Sequence, residues 1–578
     1  MQKGDILTVE ITDLTNEGLG VGKSDGFPLF IKDSVPGDVI KTKVIKLKKS
    51  YGYGRLMEIV TPSADRVEPF CPSHRACGGC QLQTMSYESQ LRFKLNKVKN
   101  NLVRIGGFDP SYVESICEGI GGMDVPERYR NKAQFPVGID KNGEIVCGFY
   151  AARSHDIIPV NDCGIGVAEN EKILDIIKSW MKDYGISAYD EISHSGVLRH
   201  VLIKKGFATG EILVCLVICD GIEKMQDTKA SEALTGELIR IPGMTSISVN
   251  INRDKTNRIL GDECITIWGR DYIKDKLGGI KFNISPLSFY QVNPLQTKVL
   301  YDKALEYAAL SGNETVWDLY CGIGTISLFM AQKAKRVFGI EIVPQAVEDA
   351  KKNAFINGMS NVSFLCGKAE DIVTECFEST EHGITNSGLT GPSRSDIYSD
   401  EWKEAAQNAD VIVVDPPRKG CDAVCLNTMI AMSPSRIVYV SCDSATLARD
   451  LKILCAAGYE LRRWKAIDLF PQTVHVETIC LLSKLSSAKH HIEINVDMDE
   501  LDLTSAEAKA TYKEIQDWVQ ENYGFHVTNL NIAQVKQKHG IIERENYNKA
   551  KSADSKQPGC PEEKVKAIED AMRHFQMI

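Results

Sequence analysis

RIVYVSCDSATLARDL, residues 436–451, reads as a buried strand running into a helix. The apolar run Ile437 to Val440 stops at Ser441-Cys442-Asp443, and the helix begins at Ser444. In an open α/β sheet, ligands bind at the carboxyl ends of the strands, so Cys442 stands where a nucleophile would stand. A small apolar cysteine closing a core strand explains the same residue equally well. The surrounding chain has to decide between the two.

Working outward, the region from Phe282 to Leu485 has the alternating strand–helix rhythm of a doubly wound sheet. TVWDLY at Thr315 is a strand, CGIGT at Cys321 a glycine turn and ISLFMAQKA the helix after it. VFGIEIV places Glu341 near the tip of the next strand, and SFLCGKAEDI and DVIVVD supply two more. A GxG between strand and helix, followed about 17 residues later by an acid, predicts a nucleotide-like cofactor with its ribose held by that acid. The third glycine of the dinucleotide fingerprint is missing, with Thr325 and Ile326 in its place, which favours S-adenosylmethionine over a pyrophosphate. Asp415-Pro-Pro-Arg418 predicts a rigid turn beside that pocket, with an arginine rather than an aromatic after the prolines. PQTVHVETICLLSKL, from Pro471, carries Glu477 among apolar neighbours. Alternation could turn Glu477 to solvent, but an acid in the same domain as a candidate thiolate points to general-base work.

Toward the N-terminus, residues 1–61 alternate in the strand manner between glycine turns and predict a small β-barrel. Lys41, Lys43, Lys46, Lys48 and Lys49 with Tyr51 and Tyr53 suit RNA, through charge and base stacking. Cys71-x5-Cys77-Gly-Gly-Cys80 then brings three thiols into one loop, which predicts a metal or an iron–sulfur cluster. Cys163, in the turn-like PVNDCGIG, is the candidate fourth ligand, and a four-cysteine zinc site is the rival. His74, inside the loop, is expected to face solvent. Ser86 to Gly106 predicts a basic helix, and 129–281 a largely antiparallel sheet with helices. Tyr129, Arg130 and Lys132 open that region and read most simply as a polar sheet face.

Residues 378–400 are rich in Ser, Thr and Gly and read as a surface insertion without chemistry. Beyond Ser487, Thr504 and Glu507 form a capping box for a helix ended by Gly524, and two further helices follow. They form an accessory helical module, with a winged-helix-like one as the alternative. The 578 residues carry a net charge of −9, of which 16 acidic and 11 basic residues from His490 onward contribute −5. The body is therefore mild enough in charge for local basic stretches to bind phosphate. No apolar run approaches the ~20 residues of a membrane span, and MQKGDILTVEIT has no signal-peptide core. With eighteen cysteines and no secretory signal, thiols in a cytoplasmic protein are expected rather than disulfides.

SFYQVNP, DLYCGIGTISL, DPPRKGC, SCDSATLARDL and HVETICLL, in this order behind a CxxxxxCGGC site and a small barrel, resemble the RNA uracil-5-methyltransferase family. Within it the chain is similar to the bacterial 23S ribosomal RNA enzymes, of the dual-site kind suggested by YRNKAQFPV. The resemblance covers about residues 1–485. It implies a multidomain α/β protein. Residues 1–61 would form an OB-like TRAM barrel and 62–280 an iron–sulfur and RNA-binding domain. Residues 281–486 would form a Rossmann-like methyltransferase domain and 487–578 a helical extension. It implies a four-iron, four-sulfur cluster on Cys71, Cys77, Cys80 and Cys163. Gln291, Tyr320, Glu341 and Asp415 match the family's S-adenosylmethionine contacts, and Thr325 stands where the family often has Asn. Phe289 matches the residue that stacks on the target base, Cys442 the nucleophile and Glu477 the base. The early helix near Ser86 is expected against the catalytic domain. The implied activity is methylation of C5 of uridines in 23S ribosomal RNA, on a flipped-out loop nucleotide. The rivals are a transfer RNA enzyme with the same chemistry and a non-catalytic RNA-binding protein of this fold.

Overall fold

The computed structural model describes residues 1–152, 154–160, 162–219, 228–369, 371–372, 400–485, 512–539 and 561–574. The 378–400 insertion, except Asp400, and the Thr504–Glu507 capping box lie outside the described residues. Two compact units are present, Met1–Ser487 and Ala488–Ile578. Among the described residues no helix is long and apolar enough to cross a membrane.

The first unit opens with β1 (Ile6–Leu14), β2 (Gly20–Ser24), β3 (Phe27–Ile31), β4 (Val39–Leu47) and β5 (Gly52–Thr61). They close into a barrel in the order β1-β2-β3-β5-β4, because alternate residues such as Val9, Ile11, Leu29, Ile31 and Ile40 all turn inward. A mostly antiparallel sheet follows, built from β7 (Lys132–Ile139), β8 (Ile145–Tyr150), β9 (Ile157–Pro159), β10 (Leu198–Lys205), β11 (Ile212–Ile218), β12 (Met244–Ile251) and β13 (Glu263–Gly269). Its one parallel pair is β11 with β12, joined through the helix Thr228–Leu238.

The third layer is an eight-stranded sheet in the order β18-β17-β16-β19-β20-β22-β21-β6. Its strands are β16 (Thr315–Leu319), β17 (Arg336–Glu341), β18 (Val362–Cys366), β19 (Val411–Val414), β20 (Arg436–Ser441), β21 (Tyr459–Ile467) and β22 (Glu477–Lys484), with β6 (Cys117–Gly121) at the edge. Helices cover both faces, so consecutive residues of the central strands are buried on alternate sides. Ile412, Val414, Ile437 and Tyr439 enter one core, while Val411, Val413, Val438 and Val440 enter the other.

Parts of the segment 62–280 pack into the large sheet. β6 pairs in parallel with β21, and the helix Tyr87–Arg104, capped by Ser86, supplies Val98 and Leu102 to the large sheet's core. The hairpin β14 (Ile273–Leu277) and β15 (Ile280–Ile284) straddles the expected boundary at 280 and packs into the same sheet's other core. The connection from Asp468 to Val476 is where these pieces meet. Lys94 Nζ donates to Phe470 O at 3.0 Å, Tyr129 OH to Pro471 O at 2.9 Å and Asn293 Nδ2 to Leu469 O at 3.1 Å. The Gln81 and Leu82 amides both donate to Gln472 O. Lys94 and Asp468 form an ion pair at 2.5 Å with both side chains fully buried, and Tyr87 OH donates to the second oxygen at 3.0 Å. Burial pushes the Lys94 ammonium below its ordinary value, and Asp468 pulls it back up.

The second unit contains the helices Tyr512–Tyr523, Asn529–Lys538 and Glu562–His574 around Ile515, Val519, Ile532, Val535, Ile568 and Met572. Gly524, at φ +76°, ends the first of them.

Removing one partner of a buried ion pair strands the other charge and costs about 3–5 kcal/mol. Lys94→Met is expected to lose that much in urea unfolding, because Asp468 is left buried without its cation. A loss under about 1 kcal/mol, the range of an exposed pair, would refute the pair's role.

Candidate active site

β22 runs antiparallel between β20 and β21, and its register with β20 ends at Ser441 opposite Thr478. Continued by one step, that register would set Cys442 across from Glu477. Opposed residues of an antiparallel pair share a face, with Cβ atoms about 4.5–5.5 Å apart. Both side chains line one cavity of 770 Å³ at the carboxyl ends of the parallel strands. Glu477 is only 3% exposed, and its Oε2 has no hydrogen-bond partner. Burial pushes its carboxyl well up, Asp415 adds to this, and Arg418 opposes it. Burial also pushes the Cys442 thiol up to about 12, with Glu477 and Asp415 adding and Arg418 opposing. Burial alone holds the Asp415 carboxyl at about 6.

Phe289, Gln291, Tyr320, Thr325, Glu341 and Asp415 line the same cavity. The chain turns sharply after β16. Tyr320 sits at φ +72° and Gly324 at φ +80°, where a Cβ on Gly324 would meet the Phe364 ring at 2.9 Å. Only glycine lets that turn close against the third strand. Glu341 accepts from the Gly322 amide at 3.1 Å and the Val343 amide at 2.9 Å, which fixes its carboxylate at the strand tip. Thr325 Oγ1 lies 3.0 Å from Tyr301 OH. Asp318, behind the turn, is fully buried beside Ser327, and burial pushes its carboxyl up to about 7.

The 415–421 turn is clamped by the helix Ser444–Ala456. Arg449 Nη2 donates to Lys419 O and Cys421 O, both at 3.0 Å, and Asp450 Oδ2 accepts from the Cys421 amide at 2.9 Å. Tyr439 OH donates to the same carboxylate oxygen at 2.6 Å. So Arg449 and Asp450, about two helical turns beyond Cys442, hold the backbone on the far side of Arg418. Sequence reading passed over them; a buried Asp in a helix was the available signal.

Arg130 and Lys132 also line the cavity rather than a plain sheet face. Lys132 Nζ lies 5.8 Å from the centroid of the Phe289 ring, which is 62% exposed. Another lysine, unnoticed in HVLIKKG, is buried at Lys204. Its Nζ donates to Ser285 O at 2.8 Å and Ser288 O at 2.7 Å, and Ser288 Oγ donates to Asp349 Oδ2 at 2.9 Å. Burial pulls the Lys204 ammonium down to about 7, and a neutral amine keeps two donors for the two carbonyls. Lys204 thereby fixes the turn that presents Phe289 and Gln291.

Cys71, Cys77, Cys80 and Cys163 line a second cavity, of 430 Å³. None is in a disulfide. Burial first, then the charges of Cys163, Cys77 and Cys71, push the Cys80 thiol up to about 12. Among the described residues no group of three or more His, Cys, Asp or Glu side chains is gathered so as to hold a metal ion. His74 does not point to solvent as expected: it lines this cavity, with Nε2 buried and unpartnered. Arg130, Arg418, Phe470 and His475 line both cavities, so the two sites share a wall.

Lys204→Met is expected to leave two buried carbonyls unpaired and destabilise the fold by about 1–3 kcal/mol each in urea unfolding. Lys204→Arg should recover less than half of that loss, because the pocket around Nζ is closed. Wild-type stability in the methionine variant would show that the two bonds do nothing.

Residues 129–485 match the family described as tRNA (Uracil-5-)-methyltransferase, and residues 1–57 match the TRAM domain. An uncharacterized RNA methyltransferase of Halalkalibacterium halodurans is 47% identical over 483 residues, covering 83% of this chain and 98% of that protein. One from Clostridium tetani is 45% identical, covering 85% and 98%. Among solved structures, the Pyrococcus abyssi tRNA (uracil-54, C5)-methyltransferase in complex with S-adenosyl-L-homocysteine has a TM-score of 0.62 at 25% identity. That match covers 82% of this chain and all of the other. A strand-end cavity of this architecture behind a TRAM barrel places the chain in the RNA (uracil-5-)-methyltransferase family, as an S-adenosylmethionine-dependent enzyme.

Proposed function

We propose that this enzyme methylates C5 of uridines in 23S ribosomal RNA through a covalent adduct between Cys442 and uracil C6. The observation that carries the chemistry is the pairing of Cys442 with a buried, half-unpartnered Glu477 in one cavity. Uracil C5 is too weak a nucleophile to take a methyl group unaided. Addition of the Cys442 thiolate to C6 moves electron density to C5, which takes the methyl group from the sulfonium and leaves S-adenosylhomocysteine. Glu477 removes the C5 proton, the C5–C6 double bond re-forms and the Sγ–C6 bond breaks. A carboxyl raised by burial is a stronger base than an ordinary carboxylate, which suits proton removal from carbon. Arg418 is the cation that favours both the thiolate and the ionised Glu477. Gln291, Tyr320, Thr325, Glu341 and Asp415 hold S-adenosylmethionine, and Phe289 stacks on the flipped base.

The second cavity is assigned to a four-iron, four-sulfur cluster on Cys71, Cys77, Cys80 and Cys163. Four free thiols and an orphaned histidine nitrogen around one void fit soft metal chemistry. A zinc held by the four cysteines is the alternative occupant. A bound cluster would supply rigidity to the 71–80 loop; no step of the methylation is a redox step. Transfer RNA is the alternative substrate, favoured by the likeness to the Pyrococcus abyssi tRNA (uracil-54, C5)-methyltransferase.

Incubation with S-adenosylmethionine and 5-fluorouridine-substituted ribosomal or transfer RNA is expected to trap a methylated protein–RNA adduct, because fluorine cannot leave as a proton. Cys442→Ala should abolish it, and mapping the trapped uridine names the RNA. On ordinary RNA, Glu477→Gln should accumulate the adduct and slow turnover by about 10²–10⁴. Adduct formation should rise nearly tenfold per unit between pH 7 and 9, because a thiol pushed up to about 12 is almost wholly protonated there. Arg418→Met should slow it at each pH. Absence of any adduct with either RNA would overturn the mechanism. Anaerobically purified protein should contain iron and acid-labile sulfide, both lost in Cys80→Ser; zinc in their place would overturn the cluster.

A further inference from the structure

The Cys442 thiol is reached from two sides. Besides the main cavity, it lines a separate one of 360 Å³, and His475 is the other residue common to both. This smaller cavity is made partly by the barrel. Asn16 and Glu17, in the turn between β1 and β2, form its rim opposite Lys97, Ser444 and the buried Val474 and Val476. The turn is closely seated. Gly18, at φ +79°, lies so near the 474 loop that a Cβ would meet Val474 Cγ1 at 2.9 Å and Leu82 Cδ2 at 3.2 Å. Leu14 and Val35 of the barrel share a buried cluster with Leu82, Met85 and Val474. The barrel is therefore part of the active-site wall.

We propose that this cavity is a subsite for the nucleotide adjacent to the target uridine, and that Asn16 and Glu17 read its base. The inference rests on the uracil-5 reading above. A nucleotide flipped into a pocket draws its neighbours to the rim, where flanking contacts set sequence context. The volume lies in the range of ligand sites, about 300–1,000 Å³. An apolar floor at Val474 and Val476 suits a base plane, and the amide and carboxylate of the turn suit a base edge. Lys97, whose Nζ donates to Val474 O at 3.1 Å, brings a cation to the same mouth for the connecting phosphate. The residues at the tip of β17 that would hold the methyl donor face only the main cavity, so the donor does not compete for this space.

The test uses full-length protein and transcripts spanning the uridine mapped by fluorouridine trapping, with each of the four bases placed in turn on either side of it. Wild type is expected to prefer one base at one flanking position by about tenfold in kcat/KM, the worth of one good base-edge contact. Asn16→Ala and Glu17→Gln should compress that preference to within about threefold while S-adenosylmethionine affinity stays unchanged. Both residues are exposed, and a urea unfolding curve of each variant checks that the fold is kept. No flanking preference in wild type, or a loss that is equal for all four bases in the variants, overturns the subsite and leaves the methylation reading intact. No methylation of any transcript by wild type overturns both.

Discussion

The antiparallel entry of β22 between β20 and β21 is the constraint on which the site depends. A wholly parallel sheet would set strand tips side by side and leave acid and thiol on separate loops. Reversing one strand brings the start of β22 to the same edge as the end of β20, so that Glu477 and Cys442 lie just beyond the last ladder pair, Ser441–Thr478. Six consecutive register pairs fix that alignment, and a slip of one residue would turn Glu477 to the opposite face. The placement of these two side chains thus rests on a continuous strand ladder.

The electrostatics follow from the same placement. Glu477, Asp415 and Asp318 sit at the tips of three central strands, away from water, and each is pushed toward the neutral acid. Such a cluster is costly unless cations face it. Arg418 meets it from the 415–421 turn, held there by Arg449 and Asp450, while burial and nearby cations pull His475 down to about 4, so that it stays uncharged. Arg418 is thereby the cation that acts on both the thiol and the Glu477 carboxyl.

The 468–476 connection joins chemistry to the rest of the molecule. It receives hydrogen bonds from the Tyr87–Arg104 helix, from the residues after Cys80 and from Tyr129, and it carries Val474 against the barrel turn. Barrel, cysteine loop and catalytic sheet are therefore one interlocked unit, consistent with the single compact body from Met1 to Ser487. Parts of the 62–280 segment belong to the large sheet: β6 pairs with β21, and the Tyr87–Arg104 helix supplies Val98 and Leu102 to its core. Domain boundaries read from composition assume that neighbours in sequence stay neighbours in space, whereas β6 crosses to the far edge of the large sheet.

By itself the sequence determined the strand–helix alternation, the barrel, the glycine turn and the identity of the groups that could do chemistry. Those are local properties: periodicity, turn residues and the short motifs around Cys321, Asp415, Cys442 and Cys71. Only the tertiary structure decided that Glu477 faces inward rather than outward, because alternation fixes two faces without saying which is buried. It also decided that Arg130 and Lys132 line the cavity and that His74 turns toward the cysteines. Lys204, Arg449 and the Asn16–Glu17 turn gained their roles only from partners that packing brings to them, some of them scores of residues away along the chain. A long-range contact leaves no periodic trace in the sequence, and that is why these residues became legible only in the fold.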